Sequence, residues 1–303
     1  MAPPTRIVVI AGPTASGKTA LAVELCRRLG GEVVSADSQQ IYRGLDVGTA
    51  KPTAEERAAV PHHLIDVAAP GEGWDAARFV RAADGAITEI AGRGRVPVVV
   101  GGTGLYLRAL LHGVVDAPGR DPELRARLEE EARVHGRPAV HASLAQVDPE
   151  AASRIRPNDL VRVVRALEIA ASGRTQTERF REHAFAPDRY AALLFALGPS
   201  REELHRRIDA RVEAMFAGGL LDEARALVER FGERLPAKLP IGYADAIALL
   251  RGECTRAEAV HRVQVETRRY ARRQVIWLRR ERGIEWLTPP WDVEELARRV
   301  NGL

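Results

Sequence analysis

Within "AGPTASGKTALAVEL" (residues 11–25), Gly12, Gly17, Lys18 and Thr19 stand at the spacing G-x-x-x-x-G-K-T, directly after the apolar run "IVVI". Glycine is needed where a backbone passes close to an anion. Lysine brings a mobile positive charge to the outer phosphates, and the threonine hydroxyl suits Mg²⁺. The N–H groups from Gly12 to Lys18 are expected to turn inward, with the N-terminus of the following helix adding partial positive charge. Such a loop identifies a diphosphate, not a reaction. Its lysine is telling, because only three of the 45 basic residues in this chain are lysines.

Two further stretches carry chemistry. In "SADSQQIYRGLDVGTAKPT" (35–53), Asp37 follows an apolar run and has three readings: a Mg²⁺ ligand, a general base for an attacking amine or hydroxyl, or a cap for the local turn. In "VVVGGTGLYLRAL" (98–110), Gly-Gly-Thr-Gly stands where many phosphate-loop ATPases place an acid. Its glycines either let the backbone approach a ligand or form a tight strand-to-helix turn, and Thr103 offers a hydroxyl that donates and accepts. Together these loops suit a pocket for a small phosphorylated substrate better than an energy-coupled motor. Near the end, "TRRYARRQVIWLRRER" (267–282) holds seven arginines in sixteen residues. At helical spacing Arg269, Arg273 and Arg280 share one side and Tyr270 and Trp277 another, so the helix can pack by its aromatic side, the other being either a phosphate-tracking surface or a solvated charged face. His62 and His63 in "PHHLID" lack flanking ligands at metal spacing and are read as structural.

The elements that must hold these residues follow from pattern. Apolar, β-branched runs at 6–10, 32–35 and 96–100 each end at one of the three loops, and amphipathic stretches at 19–29 and 76–91 lie between them. Strand and helix in alternation predict a parallel sheet with helices on both faces, ligands binding at the carboxyl ends of the strands. From residue 121 to about 183 the pattern is helical, with an Asp-Pro cap opening one helix and Asn158 capping another. A strand at 190–197 returns to the core, and the remainder reads as mostly helical. The expected organisation is an α/β core over 1–115, an all-helical insertion over 116–188, and a core continuation over 189–303.

With 303 residues, 46% hydrophobic and 28% charged, the chain is ordinary globular material. It has no secretory signal and no run near the ~20 residues of a membrane span, so a cytoplasmic location is expected. Cys26 and Cys254 are the only cysteines, which excludes a disulfide framework or a cysteine zinc site. Residues 1–150 hold 17 Lys+Arg against 19 Asp+Glu, whereas 151–303 hold 28 against 22. A basic excess confined to one half points to a polyanionic partner there.

The motifs, taken in order, resemble one family: the tRNA dimethylallyltransferases, or tRNA isopentenyltransferases, of bacterial type. The resemblance rests on "GPTASGKT", "SADSQQIYRGLDVGTAKPT", "PHHLIDV", "VVVGGTGLYLRAL", "RPNDLVRVVRALEI", "MFAGGLLDEAR", "LPIGYADA" and "TRRYARRQVIWLRR", which span nearly the whole chain. It implies a phosphate-loop NTPase-like fold that consumes no ATP. A dimethylallyl group passes from dimethylallyl diphosphate to the exocyclic amine of the adenosine immediately 3′ of the anticodon. By position, Gly12, Pro13, Thr14, Ala15, Ser16, Gly17, Lys18 and Thr19 would bind the donor diphosphate, with Thr19 on Mg²⁺. Asp37 would be the base, Thr103 would lie beside the extruded adenine, and Arg211 would approach the diphosphate. Asp37, Ser38, Gln39, Gln40, Asn158, Asp159, Arg162, Gly242, Tyr243, Arg272, Arg273 and Arg279 match segments expected to contact tRNA. Nothing in the pattern demands more than a monomer. An adenylate isopentenyltransferase or a nucleotide kinase is the alternative, but a mononucleotide acceptor needs neither the arginine-rich segment nor the insertion. Trp74-Asp75 departs from the aromatic-serine pair of many relatives.

Overall fold

The computed structural model describes residues 4–183, 188–232 and 234–302. The chain divides into two compact units, one made of the residues up to Leu111 and those from Asp188 onward, the other of His112–Pro187. The first unit contains β1 (Arg6–Ala11), α1 (Lys18–Leu29), β2 (Glu32–Ser35), α2 (Ala54–Ala59), β3 (His62–His63), α3 (Ala76–Gly92), β4 (Pro97–Gly101) and α4 (Gly104–His112, its last residue in the other unit). In the second unit lie α5 (Pro122–His135), α6 (Arg137–Val147), α7 (Pro149–Arg154), α8 (Leu160–Ala171) and α9 (Gln176–His183). The first unit resumes with β5 (Ala191–Leu197), α10 (Arg201–Ala217), α11 (Leu220–Phe231), α12 (Tyr243–Leu250), α13 (Arg256–Leu278), β6 (Ile284–Leu287) and α14 (Val293–Asn301).

The six strands form one parallel sheet in the order β3-β2-β4-β1-β5-β6. A strand covered on both faces must be apolar throughout, which is why β1 reads as a continuous run rather than an alternation. Its Ile7, Val9 and Ala11 pack with Phe79, Ile87 and Leu110 of α3 and α4. Val8 and Ile10 face the other way, onto Leu21 and Leu25 of α1 and Leu296 of α14. Fully burying a side chain such as Ile10 or Phe79 contributes about 1.5–3 kcal/mol. A separate cluster, including Ile208, Val212, Leu220, Tyr243 and Val263, binds α10 to α13 together beside the phosphate loop.

The helical unit has its own core of Leu128, Val140, Leu144, Val163 and Val164. Asp121 caps α5 by accepting from the Leu124 N–H at 2.9 Å, with Pro122 in the first turn. Buried Glu168 binds Arg125 at 2.7 Å and the Asp121 N–H at 3.1 Å, tying α8 to α5. Residues 184–187, at the end of the expected insertion, lie outside the described residues.

Three differences from the sequence reading have local causes. The cap of α8 is Asp159 rather than Asn158, and the helix ends at Ala171, two residues before Gly173. The "PHHLID" segment is not wholly loop: His62 and His63 pair with Val33 and Val34 as a two-residue edge strand. The C-terminal stretch contains β6, four residues at the opposite edge, too short for a periodicity to register.

The turn after β4 is determined by close packing. A Cβ on Gly101 would lie 2.2 Å from the Ala36 carbonyl oxygen, and one on Gly104 would lie 2.2 Å from the Trp277 ring. Gly101→Ala should therefore destabilise the protein by about 1–3 kcal/mol, the cost of overpacking. Gly73→Ala, where nothing lies within 4 Å of the added carbon, should change stability by no more than about 0.5 kcal/mol. Urea unfolding of both variants measures the difference, and equal stabilities would refute the packing account.

Candidate active site

The loops following β1, β2 and β4 meet at the carboxyl edge of the sheet. Together with α10 and α13 they enclose a cavity of about 320 Å³. One part of its wall is polar: Thr14, Lys18, Thr19, Asp37, Ser38, Gln39, Gln40, Arg211 and Arg273. Another part is apolar: Val212, Met215, Leu239, Ile241 and Val263. Such a space suits an anionic head joined to a short hydrocarbon. A second cavity of about 530 Å³, lined by Asp46, Lys51 and Arg57, shares Arg211, Ala50 and Met215 with the first.

In the phosphate loop, Gly17 stands at φ 96° immediately before α1 and Ala15 at φ 63°. Not every N–H in the loop faces a ligand, as the spacing alone suggests. Thr14 N–H donates to Gln274 Oε1 at 2.8 Å, Ser16 N–H to the Pro13 carbonyl at 3.3 Å, and Pro13 has none. Lys18 Nζ donates to the Pro13 carbonyl at 2.8 Å. Burial pulls the Lys18 pKa down to about 8, Asp37 opposes that shift and Arg211 adds to it. Burial likewise lowers the Arg211 pKa. Two partly buried cations are a latent attraction for an anion, because a diphosphate restores to both the charge stabilisation that burial removes.

Asp37 divides its two oxygens. Oδ1 accepts from the Gln39 N–H at 2.8 Å and the Gln40 N–H at 3.4 Å, which is the cap anticipated for this turn. Oδ2 has no hydrogen-bond partner among the described residues. Thr103 Oγ1 accepts from the Ser38 N–H at 3.0 Å and lies 3.4 Å from Ser38 Oγ, so the third loop holds the second. Gln40 faces inward: its Nε2 donates to the Ala50 carbonyl at 3.0 Å and its Oε1 lies 3.2 Å from Ser35 Oγ. The loop beyond is fixed by Glu223, whose carboxylate accepts from the N–H groups of Asp46, Val47 and Gly48 and from the Tyr243 hydroxyl. Tyr243 is fully buried and its hydroxyl is taken, so any contact from the "LPIGYADA" loop to a partner falls to Gly242 and its neighbours rather than to this side chain.

Where a Cβ would stand, each of the three glycines of "GGTG" is packed against protein. Gly101 meets Ala36, Gly102 meets Gln274 and Gly12, and Gly104 meets Trp277. These contacts support the tight turn, one of the sequence's two explanations, and Gly101 also lines the cavity. The arginine-rich helix also differs from its expected arrangement. Because α13 ends at Leu278, Arg280 and Arg282 lie beyond it and Arg280 does not continue the side carrying Arg269 and Arg273. Tyr270 lines the cavity next to Arg273 instead of opposing it, and Arg273 stands 5.8 Å from the Tyr270 ring. Arg269, Arg272 and Arg273 are exposed, whereas Arg268 pairs with Asp209 at 3.1 Å. Arg279 lines a different, smaller depression with Trp286.

Asn158, Asp159 and Arg162 belong to the helical unit, where Asp159 caps α8 and the Asn158 carbonyl accepts from Arg137 at 3.1 Å. Asp75 caps α3 by accepting from the Arg78 N–H at 2.8 Å, a task serine does equally well. His63 Nε2 lies 2.6 Å from Glu32, whose carboxyl also binds Arg93 and Arg95; burial raises its pKa, but His63 and Arg93 outweigh that and lower it. Among the described residues no group of three or more His, Cys, Asp or Glu could hold a metal. Thr19 alone gives a hydroxyl, a donor set suited to a Mg²⁺ ion carried mainly by a ligand's phosphates and waters. No helix among the described residues is long and apolar enough to cross a membrane.

Sequence reasoning missed Gln274, Glu223 and the cavity-facing role of Tyr270. The signal for the first was present: Tyr270, Gln274 and Trp277 recur at helical spacing, an inward stripe among arginines.

Known proteins match this chain over nearly its full length. The family model for IPP transferase matches residues 40–281, and that for isopentenyl transferase matches residues 5–67. A tRNA dimethylallyltransferase of Anaeromyxobacter sp. (strain K) is 75% identical over 295 residues, covering 97% of each chain. That of Myxococcus xanthus (strain DK1622) is 54% identical, covering 94% of this chain and 93% of the relative. The solved tRNA isopentenylpyrophosphate transferase of Bacillus halodurans superposes with TM-score 0.69 at 40% identity, over 98% of this chain and 96% of the other. A eukaryotic dimethylallyltransferase solved acting on tRNA superposes with TM-score 0.82 at 29% identity, over 98% of this chain and 78% of that one. With the three loops in place and this likeness running end to end, the chain belongs to the tRNA dimethylallyltransferase family of prenyltransferases.

Proposed function

We propose that this protein transfers a dimethylallyl group from dimethylallyl diphosphate to N6 of the adenosine immediately 3′ of the anticodon in tRNA, in the cytoplasm. The observation that carries the reading is one cavity holding two partly buried cations, an apolar wall and a carboxylate with a free oxygen. Phosphate-loop groups, Lys18 and Arg211 bind the diphosphate and stabilise the charge that develops as the C1–O bond breaks. Thr19 would hold a Mg²⁺ ion, which would supply further neutralisation of the leaving group. Val212, Met215 and Val263 take the five-carbon chain and exclude water from the ionising carbon.

At the acceptor, the N6 lone pair is delocalised into the purine and is a weak nucleophile. As the C1–N6 bond forms, Asp37 Oδ2 takes a proton from N6, and diphosphate departs. The adenine must leave the anticodon stack to reach the cavity, at a cost of a few kcal/mol. Thr103 lies beside the extruded base, while Arg272 and Arg273 meet the RNA phosphates. Asn158, Asp159 and Arg162 contact the RNA from the helical unit.

The reading is tested by incubating the protein with Mg²⁺, dimethylallyl diphosphate and unmodified tRNA, with AMP and ATP as parallel acceptors. Mass spectrometry of the digested RNA should find adenosine carrying one five-carbon unit in tRNA alone. Prenylated AMP, or ATP turnover without prenylation, would overturn it. Asp37→Asn should lower the single-turnover rate about 10²- to 10⁴-fold with tRNA affinity nearly unchanged. Normal chemistry with a large loss of tRNA binding would remove Asp37 as the base. Replacing Arg272 and Arg273 with alanine should weaken binding and flatten the dependence of log affinity on log salt by about 0.7–0.9 per charge. An unaltered slope would mean that this face does not touch phosphate.

A further inference from the structure

Gln274 is a polar, uncharged side chain on the arginine-rich helix, only 6% exposed. Both ends of its amide are engaged across long stretches of chain. Oε1 accepts from Thr14 N–H in the phosphate loop at 2.8 Å, and Nε2 donates to the Gly102 carbonyl in the third loop at 2.9 Å. The two partners are a donor and an acceptor, so the amide fits in one orientation only. The fit is also steric: a Cβ on Gly102 would lie 2.3 Å from Gln274 Nε2 and 2.8 Å from the Gly12 carbonyl oxygen. Tyr270, one turn earlier, and the adjacent Arg273 line the cavity, as does Gln274 itself.

We infer that Gln274 is a positioning residue that sets the spacing between the leaving-group end of the site and its acceptor end. The inference rests on the function proposed above. The phosphate loop holds the donor, and the third loop carries Thr103, which in turn holds the Asp37 loop through Ser38. Gln274 is the side chain that bonds to both. Attack on an allylic carbon requires the nucleophile in line with the departing oxygen, and a misplacement of about 1 Å costs on the order of 10²-fold in rate. A brace of this kind acts on the chemical step rather than on the affinity of either substrate, because each loop binds its own ligand separately.

The test uses two variants of the full chain. Gln274→Met keeps the volume and removes both hydrogen bonds. Its single-turnover rate at saturating tRNA and donor should fall about tenfold to a hundredfold. Its dissociation constants for inorganic diphosphate with Mg²⁺ and for an anticodon stem-loop RNA should stay within about threefold of wild type. A role limited to stability would lower the unfolding temperature and weaken both affinities together, so that pattern, or an unchanged chemical rate, overturns the inference. Gln274→Glu supplies the second arm and decides the matter if the methionine variant does not fold. Ionised, its carboxylate still accepts from Thr14 N–H but repels the Gly102 carbonyl; protonated, its O–H donates there and the pair of bonds returns. Its rate relative to wild type at each pH should therefore rise as pH falls, whereas a flat ratio overturns the inference. Wild-type protein that prenylates no RNA would instead remove the proposed function, an outcome distinct from active variants.

Discussion

The contact of backbone with backbone at the carboxyl edge of the sheet is the constraint on which the site depends. With β1 beside β4 and β4 beside β2, the loops that follow them are neighbours, and Gly101 and Gly102 let the third approach Ala36 and Gly12 without an intervening side chain. That closeness brings Thr103 to Ser38 and Gln274 to Thr14 within hydrogen-bonding distance. A side chain at either glycine would separate the loops by more than a hydrogen bond tolerates, and Asp37 and the phosphate loop would no longer share one cavity. The phosphate-loop motif is thus necessary to the site but does not build it.

Charge is handled by the same economy of contacts. Lys18 and Arg211 are partly buried, and burial lowers both pKa values. Left alone, such cations are costly, so the site is poised for a ligand with several negative charges. Two nearby carboxylates serve protein groups: Glu223 binds backbone N–H groups and the Tyr243 hydroxyl, and Asp209 pairs with Arg268 through Oδ2. Asp37, which lines the cavity, has one oxygen turned to its own turn and the other without a protein partner among the described residues. Capping and proton acceptance therefore do not compete, since each has an oxygen to itself.

Much of this was legible in the sequence, because the strands before the three loops are short, apolar and followed by turn residues. Their ends agree with the observed strands to within a residue, as do those of α1 and α3. The edge strands were not legible: β3 has two histidines and β6 four residues, and their strand character comes from the neighbour they pair with. The glycines of "GGTG" were visible as glycines, but whether ligand or protein filled the space beside them depends on Ala36 and Trp277, distant in sequence. Glu223 and Gln274 were hidden for the same reason, since the backbone groups they bind, in residues 46–48, the phosphate loop and the third loop, lie more than 170 residues away. Local pattern identifies what a loop is made of, and tertiary packing determines what stands against it.

Lysine usage joins the two levels. Of three lysines in the chain, Lys18 sits in the phosphate loop, and Lys51 has a side chain only 2% exposed. Lys51 donates to the Tyr42 carbonyl and to Asp46 and Asp66, drawing together the ends of the segment that supplies Gly48, Thr49 and Ala50 to the cavity wall. These places require a compact charge on a flexible stem that donates in three directions, which the planar fork of arginine does not provide. Arginine serves the outer faces, where Arg269, Arg272 and Arg273 present broad, permanently charged groups. Two of the three lysines therefore sit where a compact charge is needed, in the phosphate loop and under the segment beside it, while Arg211 is the arginine that joins Lys18 in the cavity wall and Lys238 is exposed.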